Sequence, residues 1–481
     1  MISDNQAVVP PNNLFFKFEK IIFLIFLCFL PFEVFPFLHF SFSSIGYYSF
    51  DFYVHVFGLA LLCASFFDKR FRYFNKLVIY LVCLCFFLTL LSLINAFLAF
   101  DSFNGYYSTN PYLVVLYESF KYFHFVSIFF YTTYFIRFVT KKELLICFFV
   151  TIFVVFFVSG IQAIYLFSKN QILGSFYDRF ASFFGFQLTT FFTKQGGRVC
   201  GPFREPAHSD LFFGCFLIPS LLSWALVAKN KKTKDFVIFA FLMVGALFIV
   251  YLAKSTSLYF AVFFDFVVFF VVFLARVRNP VTKKRIVGIT FIAACLLIAG
   301  LFSTAIGKTI YSSMIEKAFS STNDSTLFRY SYAYSDLKTF LRMPLIGCGN
   351  GMQGYYYFNN IVGTRFSGAI EAVLALTGKL GLIYGGGFIP AYLSGFGICG
   401  LVIGFPVVSL FLKDFRSLSK QSAFLYTMLA IALPVLLVML CVSDELTMNY
   451  QACVLFSVPY VCLRHEDAQC GSVPSEEFRK I

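Results

Sequence analysis

The run KLVIYLVCLCFFLTLLSLINAFLAF, residues 76–100, carries one lysine at its head and no other charge. A helix crosses the roughly 30 Å apolar core of a bilayer with about 20 residues, so this stretch alone predicts a membrane span. The rest of the chain repeats the pattern. Of 481 residues, 59% are hydrophobic, 21% aromatic and only 13% charged, which is more apolar surface than a soluble core of that length could hide. Apolar runs of about 20 residues recur between short polar breaks, without the alternating ten-residue pattern of an outer-membrane barrel. The expected fold class is all-α, a polytopic membrane helix bundle, read as one integral membrane domain over residues 1–481.

Twelve spans are expected: 18–40 (kinked by Pro31 and Pro36), 50–67, 76–100, 112–136, 143–167, 209–228, 235–253, 257–275, 286–306, 388–412, 421–442 and 446–463. Lysine and arginine gather in DKRFRYFNK after the second span, RFVTKK after the fourth, KNKKTK after the sixth, RVRNPVTKKR after the eighth and KDFRSLSK after the tenth. DSFNGYYSTN and SDELTMNY, after the third and eleventh, have neither. Short loops rich in positive charge stay on the cytoplasmic side, so both termini are expected there. The N-terminal run lacks a cleavage site of small residues and reads as a retained span. The polar tail 464–481 reads as disordered.

This layout leaves two long segments outside, 168–208 and 307–387. Both are basic, with Arg179, Lys194, Arg198 and Arg204 in the first and Lys308, Lys317, Arg329, Lys338, Arg342, Arg365 and Lys379 in the second, so part of the formal charge of +14 is exported. These residues are either ordinary solvated charge or a surface that holds an anion, since arginine meets phosphate oxygens with two parallel hydrogen bonds.

The first segment ends in GGRVCGPFREPAHSD, residues 196–210, which packs Arg198, Arg204, Glu205, His208 and Asp210 beside a span. The second holds LFRYSYAYSDLKTFLRMPLIGCGNGMQGYYYF, residues 327–358. Its first part is expected to be a helix capped by Asn323 or Asp324 and stopped by Pro344, with Arg329 and Asp336 on one face. Gly347, Gly349 and Gly351 follow and would let backbone approach something closely. The turn lacks the lysine and the serine or threonine of a P-loop, which argues against nucleotide binding.

Cys200 and Cys348, one in each external segment, are each flanked by glycine, and close packing is expected in preference to a disulfide. The five histidines are scattered, so no metal site is expected. Asp265, inside the eighth span, is a costly placement and should face the bundle interior. The KSTS break, 254–257, either touches a phosphate or leaves Lys254 to snorkel.

RxxGxFxEP, met here by Arg198, Gly201, Phe203, Glu205 and Pro206, is followed by Arg329 and, fifteen residues on, by PLIGxGxG from Pro344 to Gly351. In a chain of about twelve spans this pair of motifs resembles the O-antigen polymerase and ligase superfamily, over roughly residues 140–415. The ligases of that superfamily carry a histidine eleven residues before a helix-opening glycine. Here Ser367 stands eleven residues before Gly378, a departure that favours the Wzy-type polymerase.

The resemblance implies a GT-C-like fold in the bacterial inner membrane and a periplasmic active site. There a glycosyltransferase joins repeat units carried on undecaprenyl pyrophosphate. It needs no cofactor, contacts membrane lipid but no nucleic acid, and works beside a chain-length regulator and a flippase. Charge grows on the departing pyrophosphate, so Arg198, Arg204 and Arg329 are the expected stabilisers. Glu205 is the first choice for the base that takes the acceptor proton, with Asp336 second; an ion pair in which Glu205 orients Arg204 is the equal alternative. His208 and Asp210 are candidate helpers, while Ser209 or Asp210 suits a helix cap. Arg342, Gly347, Gly349, Gly351, Tyr355 and Tyr356 are the expected substrate-binding set. The tyrosines, with Tyr330, Tyr332 and Tyr334, suit either a pyranose face or an interfacial belt. The alternatives are a ligase acting on lipid A-core and a lipid-linked oligosaccharide transporter or flippase; the latter would use broken helices and charge near the midplane.

Overall fold

A computed structural model describes residues 14–31, 49–67, 76–103, 110–169, 171–176, 197–203, 209–228, 232–311, 324–364, 387–442 and 450–461. All regular structure among them is helical. The first five helices are α1 (Leu14–Cys28), α2 (Ser49–Phe67), α3 (Lys76–Phe103), α4 (Pro111–Ile136) and α5 (Lys141–Ser168). A π-helix, Phe212–Leu217, runs into α6 (Ile218–Val227) and is followed by α7 (Thr233–Ala253), α8 (Thr256–Arg276), α9 (Pro280–Ser303) and the short α10 (Ala305–Tyr311). The second external segment contributes α11 (Asp324–Arg342) and α12 (Gln353–Ile361). The chain closes with α13 (Phe388–Leu418), α14 (Ala423–Val442) and α15 (Tyr450–Ser457).

Seven of these helices, α3, α4, α5, α7, α8, α13 and α14, are long and apolar enough to cross a membrane. The protein is thus a polytopic helical membrane protein. Each of the twelve expected stretches overlaps a helix among the described residues.

Local chemistry explains the boundaries. Asn110 accepts the N–H of Tyr112 ahead of Pro111, which presets the first turn of α4. Thr140 and Glu143 form a reciprocal capping box on α5. Glu143 also pairs with Lys20 at 2.9 Å, which fixes α1 alongside α5. Deeper along the same contact, Thr151 Oγ1 donates to the Leu27 carbonyl (3.1 Å).

Two helices act as central pillars. About half of the membrane-crossing residues of α4 and α14 are buried, against 28–33% in the other five. α4 packs on α2, α3 and α15, and α14 on α6, α8 and α13. The buried face of α4 is the aromatic run around Tyr131 and Phe135, whose rings lie 4.9 Å apart and pack on Phe23 of α1. Thr132 and Thr133 hide their hydroxyls by bonding the carbonyls three residues back, so neither threonine is an orphan donor in the core.

Alternation of spans brings the C-terminal ends of α3, α5 and α7 and the N-terminal ends of α4 and α13 to one end of the bundle, with α11 and α12. The lysine- and arginine-rich breaks at 137–142, 276–285 and 413–420 fall at the other end. Asp265, halfway along α8, has no exposed surface, and neither of its carboxylate oxygens has a hydrogen-bond partner among the described residues. It faces inward, as its cost in lipid demands.

Candidate functional site

α13 is broken. Gly397 has φ 59° and ψ −154° inside the helix, a region reserved for glycine. Such a break frees backbone groups at membrane depth, where they must find partners within the protein. The PLIGCG segment supplies them. Cys348 N and Gly349 N donate to the carbonyls of Ser394 and Gly395 (2.9 and 2.8 Å), and Ile398 N and Cys399 N donate to those of Pro344 and Leu345 (2.8 and 2.9 Å). The glycine turn is therefore stitched across the break like a short strand.

The turn is packed as tightly against two further helices. Asn350 N donates to Ser92 Oγ of α3 (2.8 Å), and Asn95 Nδ2 of α3 reaches the Gly347 carbonyl (3.3 Å). A side chain on Gly347 would meet Gly395 backbone at 2.3 Å, and one on Gly351 would meet Glu118 and Val114 of α4 at 3.0–3.1 Å. The close approach that Gly347, Gly349 and Gly351 allow is thus to the protein's own helices. Tyr355 follows them inward and is buried with Val114, Val115 and Ala96.

On this base stand α11 and α12. The inner face of α11 is Ser331, Tyr332, Ser335, Asp336 and Thr339, all buried. Tyr332 stacks on Tyr357 of α12 at 4.4 Å. Burial holds the Tyr332 hydroxyl above the usual phenol range, with Tyr357 and Asp336 adding to the rise. Burial also raises Tyr356 to about 12, the Cys348 thiol adding to the shift and Arg342 opposing it, so both phenols stay neutral at physiological pH.

Asn360 joins the two helices. Its Nδ2 donates to the carbonyl and hydroxyl of Ser335 (both 3.1 Å) and to Thr339 Oγ1 (2.8 Å). Its Oδ1 accepts from Arg342 Nη1 (3.0 Å), and its carbonyl from Lys338 Nζ (2.9 Å). Asn360→Ala strips partners from buried groups, so it should cost about 2–3 kcal/mol in the docking of α12. Hydrogen exchange over 353–364 should accelerate while exchange in α4 and α14 stays unchanged.

The expected site residues fall in different settings. Asp336 is buried, and its Oδ1 accepts from Ser394 Oγ (2.8 Å), tying α11 to the turn just before the break in α13. That carboxylate positions the break. Arg329 does not follow Asp336 inward. It is half-exposed at the edge of α11, with no hydrogen bond or ion pair among the described residues. Arg342 is exposed and uses one N–H on Asn360, which leaves four of its five donors.

Arg198 stands elsewhere, over the end of α7. Its Nε and Nη2 donate to the carbonyls of Ala253 and Lys254 (both 2.9 Å), capping that helix in the way cations favour at a C-terminus. The KSTS break turns there with Lys254 in the left-handed region, and Ser255 and Ser257 bond each other. Gln162 of α5 holds the same stretch: its Oε1 accepts from Cys200 N (3.0 Å) and Gly201 N (2.7 Å), and its Nε2 donates to the Gly201 carbonyl (3.0 Å). Cys200 and Cys348 are both buried, and no disulfide joins them. Asp210 is buried and accepts the N–H of Leu211 (2.7 Å), an end-of-helix use. Arg204, Glu205 and His208 lie outside the described residues.

Gln162, Asn360, Ser394 and the pair Ser92 and Asn95 were not singled out from the sequence. For three of them a signal existed: Ser92, Asn95 and Gln162 interrupt apolar runs in α3 and α5, and a polar group at such a place needs an internal partner. No protein-family model matches the chain, and no curated protein matches it.

Proposed function

We propose that this chain is a Wzy-type polymerase, a glycosyltransferase of the bacterial inner membrane. It would join oligosaccharide repeat units carried on undecaprenyl pyrophosphate, with twelve spans, cytoplasmic termini and a periplasmic active site. The observation that carries the reading is the state of the cations on α11. Arg329 has no polar partner among the described residues and Arg342 has one, on a tyrosine-bearing helix locked to the end of the bundle opposite the basic loops. A guanidinium with uncommitted donors, fixed beside a membrane, fits a lipid-borne diphosphate that gains charge as the glycosidic bond breaks. Arg198 would serve mainly to shape the neighbouring loop, and Asp336 to hold α13. The base is then Glu205.

The test is purified protein with lipid-linked repeat units and no nucleotide sugar. Products that grow in length support the reading, and unchanged single units overturn it. A lipid-linked oligosaccharide transporter is the second reading. It is favoured by the break at Gly397 in a membrane-crossing helix and by Asp265 inside α8, whose carboxylate has no hydrogen-bond partner among the described residues. Movement of a labelled lipid-linked saccharide across vesicles without chain growth would decide for it.

A further inference from the structure

α11 has a second apolar face. Tyr330, Tyr334, Leu337 and Leu341 recur at steps of four, three and four residues, and Leu345 continues the line past the helix end. Between 37% and 68% of each side chain is exposed. At 3.6 residues per turn this stripe lies opposite the ridge of Tyr332, Asp336 and Thr339 that packs inward. Lys338 and Arg342 fall on one side of the stripe, and Arg329, two turns before Asp336, is half-exposed on the other side, next to the inward ridge. Between residues 327 and 345 the one acidic residue is Asp336, and it is buried.

Backbone pairing sets the depth of the stripe. The carbonyls of Pro344 and Leu345 bond Ile398 and Cys399, ten residues into α13. The arm of α13 beyond the break starts at Ile398, and its first charge at the far end is Lys413. These roughly 15 residues span about 22 Å, less than the roughly 30 Å hydrocarbon core, so the other boundary lies on the N-terminal side of the break. Leu345 therefore lies below that boundary, inside the apolar layer. Beside it the exposed surface of α13 is Ile398, Leu401, Val402 and Phe405, so the stripe of α11 runs without interruption into a lipid-facing surface.

We propose that α11 is an interfacial helix whose Tyr330–Leu341 stripe is seated in the bilayer, Leu341 among the acyl chains and Tyr330 at headgroup level, with Arg329, Lys338 and Arg342 on lipid phosphates. The occupant is the membrane itself. Apolar continuity with α13 gives the depth, and cations at 329, 338 and 342 with no exposed acid between residues 327 and 345 give the charge match to phosphate headgroups. Lys338 keeps its ammonium 5.8 Å from the Tyr334 ring centre and on the Asn360 carbonyl, a posture suited to snorkelling. On the reading of the preceding subsection, which this last step requires, a lipid-borne diphosphate would reach Arg329 and Arg342 from within the bilayer.

The chain has one tryptophan, Trp224, so depth can be read by fluorescence. Leu341→Trp and Tyr330→Trp are made on a Trp224→Phe background and placed in phosphatidylcholine vesicles whose acyl chains carry bromine at shallow or deep positions. Leu341→Trp should lose most of its emission to acyl bromines and be shielded from aqueous iodide, and Tyr330→Trp should respond chiefly to the shallow bromines. Absence of bromolipid quenching at both positions overturns the proposal. It does so whether iodide reaches the rings, as on a face left to water, or not, as on a face covered by another protein. Leu337→Trp, on the same stripe, serves if Leu341→Trp does not elute as folded protein. No substrate is present, so failure here and failure to elongate glycan are separate results. Added phosphatidylglycerol should deepen quenching in the parent, and less so in Arg329→Gln/Lys338→Gln/Arg342→Gln; equal responses would remove the phosphate contacts.

Discussion

Gly397→Ala is expected to remove most of the folded protein. The residue sits at φ 59° and ψ −154°, where a side chain costs on the order of 1–3 kcal/mol in backbone strain. An added Cβ would also lie 2.6 Å from the carbonyl oxygens of Pro344 and Leu345 and 2.7 Å from the Leu345 carbonyl carbon. These are backbone atoms with no rotamer to yield, so relief must come from pulling residues 344–349 off the break. That withdraws the acceptors of Ile398 N and Cys399 N and leaves unpaired amides where no water replaces them. Overpacking of this kind adds about 1–3 kcal/mol, and the sum is comparable to the whole stability margin of many domains. The measurement is the yield of monodisperse protein in mild detergent and its thermal midpoint. Gly288→Ala is the control, since a Cβ there meets nothing within 4 Å, and it should match the parent. A Gly397→Ala protein that elutes and melts like the parent would mean that the stitched break does not hold α11 and α12 in place.

The second large effect concerns activity. Arg329→Ala should lower glycan elongation by about a hundredfold or more, the usual loss when one preorganised donor to a developing anion is removed. Stability should move by no more than about 0.5 kcal/mol, because a half-exposed residue with no partner leaves nothing unpaired behind. Arg329→Lys should recover little, lacking the planar fork. Arg198→Ala behaves differently in this account: it uncaps the Ala253 and Lys254 carbonyls and so should cost stability as well. Elongation by Arg329→Ala at the parental rate would remove α11 from the proposed chemistry.

Helix positions were legible in the amino-acid order because the signals are local. Unbroken apolar length, Asn110 before Pro111, Thr140 ahead of Glu143 and Pro344 after Arg342 each act within a turn or two of the residue concerned. The inward placement of Asp265 was legible for a similar reason, since its cost depends on the apolar run around it. The motif RxxGxFxEP marked the loop that caps α7 without revealing that Arg198 does the capping.

The order of residues alone specifies a chain of membrane helices with two basic connecting segments. It took the packed fold to show that PLIGCG closes a gap in a helix some fifty residues further along, that Asp336 turns inward to Ser394 while Arg329 is half-exposed, and that Asn360 is the joint between α11 and α12. The difference lies in the range of the forces involved. Apolar length and capping are satisfied by neighbours in sequence, whereas a buried carbonyl, amide or carboxylate takes whichever partner the packing of distant helices brings within 3 Å.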